Sequence, residues 1–255
     1  MDTYLRPAAN VEPATWLIER MHPFAQDVGS VVPEGFDEYV RIFHPAGRRG
    51  AGGETVPVTW AEIAEANGRT MHPEMQFGNL VGRQLYTPNY SRGQPPMWEF
   101  EPDEGTLPTS VSAALVATLS AHTGERGRCW FAVWDGPFYW TTTSGERLFG
   151  GLRHDVAQAP TFELPDRRYY LLEGPLPALL ESCCISPFRQ SANLCWPDDR
   201  AWCIATEIDF MWTYVGGSPE CIAELLDRPD IEGLPAKLEH GITIGSDSIN
   251  PDPRE

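Results

Sequence analysis

"DRAWCIATEIDFMWTYVGGSPE" (199–220) carries the longest strand candidate in the chain, "AWCIATEIDFMW" (201–212). Side chains two apart on a strand share a face. That alternation puts Trp202, Ile204, Thr206, Ile208 and Phe210 on a core face. Cys203, Ala205, Glu207, Asp209 and Met211 fall on the other, polar face. Glu207 and Asp209 would then sit side by side, their carboxylates roughly 6–7 Å apart by strand rise. After the strand, Gly216 and Gly217 form a turn. Ser218 as N-cap and Pro219 at the first helical position predict a helix over 218–230.

Working outward, helix and strand signals are mixed along the chain. Pro13 opens a short helix near 13–22 that Pro23 limits, and "DEYVRIFHP" (37–45) alternates as a strand. "AGRRGAGGETVP" (46–57) reads as a loop. "TWAEIAEANG" (59–68) reads as a helix with Thr59 as N-cap, Glu62 three residues on, and Gly68 past the last turn. "GTLPTSVSAALVATLSAHTG" (105–124) is the clearest helix, with Val111, Ala114, Leu115, Thr118, Leu119 and His122 on one stripe. "RCWFAVWDG" (128–136) and "FYWTTT" (138–143) predict a hairpin across an Asp-Gly turn. "RYYLLEGPL" (168–176) predicts a further strand and "PALLESC" (177–183) a short helix. The expected fold is one α+β domain over 1–255, a mixed or mainly antiparallel sheet with helices packed on it. Residues 69–105 are expected as a long irregular insertion or lid, and 246–255 as an exposed tail.

Composition narrows the classes. Hydrophobic residues make up 42% of 255, enough for a core and against wholesale disorder. No run approaches the roughly 20 apolar residues of a bilayer span, and no secretory signal is visible at the N-terminus. A cytoplasmic protein that contacts no membrane is expected. Thirty-six acidic against nineteen basic residues give a net charge of −17. Phosphate backbones need a basic footprint, so no nucleic-acid partner is expected. A basic protein is the kind of partner this charge attracts. The six cysteines form no C-x-x-C pair, and buried reduced thiols are expected.

Candidate sites follow from residue type and spacing. Glu207 and Asp209 could bind a divalent cation through oxygens or serve acid–base chemistry. A metal-assisted hydrolase would add a histidine, His44 or His72. The competing interpretation is a strand face whose carboxylates pair with neighbouring arginines. "WPDDRAW" (196–202) offers Asp198, Asp199 and Arg200 between Trp196 and Trp202. It reads as a binding loop with an arginine fork, or as a Pro-Asp turn. Gly216, Gly217 and Ser218 precede a helix N-terminus and could cradle an anion, though without the lysine and spacing of a phosphate loop. No nucleophile motif, metal-ligand pattern or cofactor fingerprint occurs, so neither metal nor cofactor is expected. Exposed tryptophans would make anchors for a partner.

Two resemblances bear on these expectations. "RCWFAVWDG" together with "SANLCWPDDRAWCIATEIDFMWTYVGGSPE" resembles an uncharacterised bacterial family and implies no activity. "GTLPTSVSAALVATLSAHTG" followed by "CWFAVWDG", about residues 105–135, is similar to SUKH-type (Smi1/Knr4-like) domains, where Gly-x-Leu-Pro opens a helix before a strand. That resemblance implies a non-enzymatic, immunity-like protein that binds toxins, many of them basic nucleases. The segment 69–105 departs from the SUKH plan.

Overall fold

A computed structural model describes residues 4–23, 26–82, 97–124, 127–136, 138–141, 147–186 and 188–251. In chain order the strands are β1 (Arg6–Pro7), β2 (Glu38–Phe43), β3 (Ala46–Arg49), β4 (Thr55–Val58), β5 (Arg128–Trp134), β6 (Phe138–Thr141) and β7 (Arg147–Gly150). They continue with β8 (Thr161–Leu164), β9 (Arg167–Pro175), β10 (Leu194–Pro197), β11 (Cys203–Ala205), β12 (Trp212–Gly217) and β13 (Gly233–Ala236). The helices are α1 (Thr15–Arg20), α2 (Trp60–Asn67), α3 (Phe77–Val81), α4 (Thr109–Leu119) and α5 (Pro219–Leu226). Nine strands form one sheet in the order β1-β9-β5-β10-β11-β12-β2-β13, with β8 also paired to β9. Every pairing in it is antiparallel. The fold is α+β, and no described helix is long and apolar enough to cross a membrane.

The sheet is covered on both faces. Trp130, Ala132, Trp196, Cys203, Ala205, Trp212 and Tyr214 pack with Trp16 and Leu17 of α1, Trp60 and Ile63 of α2, and Phe77 of α3. Cys129, Phe131, Cys195, Ile204 and Val215 pack with Leu115 of α4 and Ile222 of α5 on the opposite face. The period-2 alternation of 202–205 therefore sorts residues correctly, but the face expected to be wet is a second core.

Helix ends follow local chemistry. The Thr59 hydroxyl accepts from the Glu62 N–H at 3.2 Å, and the Glu62 carboxylate accepts from the Thr59 N–H at 2.8 Å. Gly68, at φ 62, ends α2 in the left-handed conformation that glycine adopts freely. Ser218 caps α5 by accepting from the Cys221 N–H.

Several expectations are overturned. Residues 201–212 are not one strand: β11 ends at Ala205, and the chain leaves the sheet until β12 begins at Trp212. The loop expected at 46–57 is the β3–β4 hairpin, which leaves the glycine-rich residues 50–54 as its turn. β5 pairs with β9 and β10, whereas β6 pairs with β7; residues 142 and 143 lie outside the described residues. The helix expected at 177–183 is a 3-10 turn at Leu176–Leu180, and β13 had no forecast.

The expected lid and tail hold each other. Of 69–105, residues 83–96 lie outside the description, but 77–81 is helical. The Thr70 N–H donates to the Asn250 side chain at 2.8 Å, and the Asn250 amide donates to the Thr70 carbonyl at 3.0 Å. His72 meets Asp247, and Glu74 accepts from the Gly241 N–H at 2.7 Å. Within the expected tail Asp247 and Asn250 are buried, whereas Ser248, Ile249 and Pro251 are exposed; 252–255 lie outside the described residues. Arg41, fully buried in β2, ties the same segment to the sheet by donating to the carbonyls of Pro73 and Met75.

Candidate functional site

Glu207 and Asp209 lie in the loop 206–211, at one end of the sheet. Arg167, first residue of β9, donates to Glu207 Oε1 at 2.7 Å, and its Nη2 lies 4.0 Å from Asp209 Oδ2. The Glu207 side chain is 9% exposed and that of Asp209 71%. Burial raises the Glu207 pKa, and the Arg167 hydrogen bond opposes that shift. Arg167, Tyr169, Asn193, Thr206 and Glu207 line a cleft that leaves about 20 Å³ for a water-sized sphere. A single water fits there.

Behind the cleft runs a buried chain of polar groups. Thr206 Oγ1 lies 2.7 Å from Thr213 Oγ1, which lies 2.8 Å from His44 Nε2; His44 Nδ1 is 2.6 Å from the Asp103 carbonyl. Burial pushes the His44 pKa down to about 4, against the hydrogen bond to Asp103 that raises it. The neutral ring donates from Nδ1 to the carbonyl, so Nε2 accepts from Thr213. His72 is likewise occupied: Nε2 faces Asp247 Oδ1 at 2.8 Å, and Nδ1 accepts from the Glu74 N–H at 3.3 Å. Neither histidine keeps a ring nitrogen for a metal. Among the described residues no group of three or more His, Cys, Asp or Glu could hold one. The ligand set expected for a metal-assisted hydrolase is therefore not assembled among the described residues.

The opposite end of the sheet holds the loop after β10. The Arg200 N–H donates to the Pro197 carbonyl at 2.9 Å and closes a turn, with Arg200 at φ 58. Asp198 accepts from Arg128 Nε at 2.9 Å and Nη2 at 2.8 Å, and from the Trp130 indole at 2.7 Å. Asp199 accepts from the Ala201 N–H at 3.1 Å. The Arg200 guanidinium lies 5.5 Å from the centroid of Trp16. Glu12, Pro13, Arg128, Trp130, Trp196, Asp198 and Arg200 line an open groove of about 220 Å³.

The remaining forecast residues serve the core. Trp196 and Trp202 are 1% and 0% exposed, and the Trp202 indole donates to the Thr123 hydroxyl at 3.2 Å. Trp16, Trp60, Trp98, Trp130 and Trp212 are buried too, so none of these supplies the exposed tryptophan anchor of a partner surface. Gly216 and Gly217 are strand residues. A Cβ on Gly216 would come within 2.5 Å of Phe36, which is the reason for glycine there. The Ser218 hydroxyl accepts from the Cys221 N–H at the start of α5.

The sequence reading missed Arg167, the partner of Glu207, and Glu12, Trp16 and Arg128 around the groove. A signal existed only for Arg128, which shares a strand face with Trp130. No family model matches the chain, and neither does any curated protein or solved structure.

Proposed function

We propose that the protein works by binding a protein partner at the sheet end where the groove opens, without catalysing a reaction. One observation carries the reading: this end joins an open groove to exposed carboxylates that have no ion pair among the described residues. Glu12, Asp37, Glu38 and Asp199 are exposed, and among the described residues none of them has an ion pair. The pairing of Glu38 with Gly217, and of Gly216 with Cys203, puts the start of β2 at the same end as the 198–202 loop. Arg200, exposed at this end, is of a residue type enriched in interface hot spots. Unpaired carboxylates would steer a basic partner and make its association salt-dependent. An immunity-like role in the cytoplasm, as the SUKH-type resemblance implies, is a role of this kind.

The test is quantitative capture from a lysate with the immobilised full chain. Wild type is set beside an Asp37→Lys/Glu38→Lys/Asp199→Lys variant and an Asp209→Lys control at the opposite end of the sheet. A partner recovered by wild type and Asp209→Lys, but depleted on the triple variant and by added salt, is expected. Equal recovery on all three would sink the reading.

A further inference from the structure

We infer that Arg200 is the anchor of this groove and takes a carboxylate, an aspartate or glutamate side chain of the partner. The inference rests on the docking reading above. The groove holds two guanidinium groups, each over an indole: Arg128 lies 4.7 Å from the Trp130 centroid and Arg200 5.5 Å from that of Trp16. They differ in what holds them. Arg128 is bound by Asp198 at 2.8 Å and has Glu173 at 3.7 Å. Arg200 has two aspartates immediately before it, yet its side chain makes no hydrogen bond or ion pair with any described residue. Asp198 is taken by Arg128 and Trp130, and Asp199 by the Ala201 N–H.

Arg200 is exposed in the turn that follows β10. Its backbone lies in the left-handed region at φ 58, which L-residues seldom adopt and where glycine or asparagine is usual. The guanidinium plane is fork-shaped and weakly hydrated, suited to a bidentate carboxylate beside an aromatic face. Glu12, on the groove wall, also lacks an ion pair among the described residues. The groove thus offers one open cation and one open anion, which fits a partner segment of mixed charge.

Acetate serves as the carboxylate probe on the full chain. The side-chain Nε–Hε resonance of Arg200, assigned by its disappearance in Arg200→Lys, is followed during titration with sodium acetate and, separately, sodium chloride at matched ionic strength. A saturable shift with acetate that chloride does not reproduce, and that spares the Arg128 resonance, is expected. An identical response to both salts, or a larger one at Arg128, overturns the inference. Capture separates the two proposals. Arg200→Gln should deplete the partner as the triple lysine variant does. Full recovery on Arg200→Gln with depletion on the triple variant leaves the docking reading standing and removes the anchor. Full recovery on both removes the docking reading itself.

Discussion

His44 should make this protein acid-sensitive in a defined window. The ring is fully buried, and burial holds its pKa at about 4, against 6.5 for an unperturbed histidine. Between those values the unfolded chain binds a proton that the folded chain refuses. Stability is therefore intact above the unfolded pKa and falls as pH drops through the window. Linkage with these two values gives a loss of about 2 kcal/mol from pH 7 to pH 5, and about 3 kcal/mol by pH 4. That is a large share of the roughly 5–15 kcal/mol that holds an ordinary domain. The assay is urea unfolding of wild type and His44→Gln at a series of pH values. Other groups titrate in both proteins, so the difference between them isolates the imidazole. Wild type starts more stable near neutral pH, and its advantage should shrink by about 3 kcal/mol on the way to pH 4. A constant difference would refute the reasoning, as would an NMR titration placing the His44 ring near 6.5.

Three further outcomes follow from local geometry. Thr59→Ala removes half of the capping box at α2 and should cost about 1 kcal/mol in urea unfolding; because the two Thr59 hydrogen bonds hold the Glu62 pKa low, the cap of the wild type should also weaken as pH falls through that pKa. Gly105→Ala should cost more than about 2 kcal/mol, since Gly105 has φ 68 and a Cβ would meet the Ile208 carbonyl at 2.2 Å; an unchanged unfolding midpoint would contradict this. All six cysteines are buried, and burial pushes the Cys183 pKa up to about 12 and those of Cys184 and Cys221 to about 11, so a thiol reagent at mildly alkaline pH should label none of the six in the native protein and all six once it is unfolded.

Where structure is decided within a few residues, the sequence spoke clearly. Thr59 and Glu62 reach each other across three positions, and Ser218 sits just ahead of Pro219, so both caps appear where the spacing predicts them. The stripe through Val111, Ala114, Leu115 and Leu119 faces the core as forecast, because a 3.6-residue period admits only one buried face. Alternation likewise sorted Trp202 and Ile204 from Cys203 and Ala205. It did not reveal that both faces are covered. An outward residue is polar only if nothing packs on it, and the α1–α3 layer comes from residues 15–81, more than a hundred positions away.

The same limit applies to two further segments. Residues 206–211 continue the alternation of β11 on paper, yet the loop is held by partners at 105 and 167: the Gly105 N–H donates to the Phe210 carbonyl at 2.9 Å, and Arg167 binds Glu207. No periodicity within 201–212 records those partners. Residues 246–251 read as a tail because Gly, Ser, Asp, Asn and Pro are the residues of exposed ends. They are also the residues best able to hydrogen-bond a backbone that has no sheet partner. Asp247 accepts from the N–H groups of Gln76, Ile249 and Asn250, and Asn250 exchanges hydrogen bonds with Thr70 across 180 positions. A composition that signals disorder when solvated signals a clasp when buried, and only the distant segment decides between them. The Arg200 loop obeys the same logic at the surface. Pro-Asp-Asp-Arg spells a turn, and Glu12 and Pro13, distant in sequence, line the same groove as its Asp198 and Arg200.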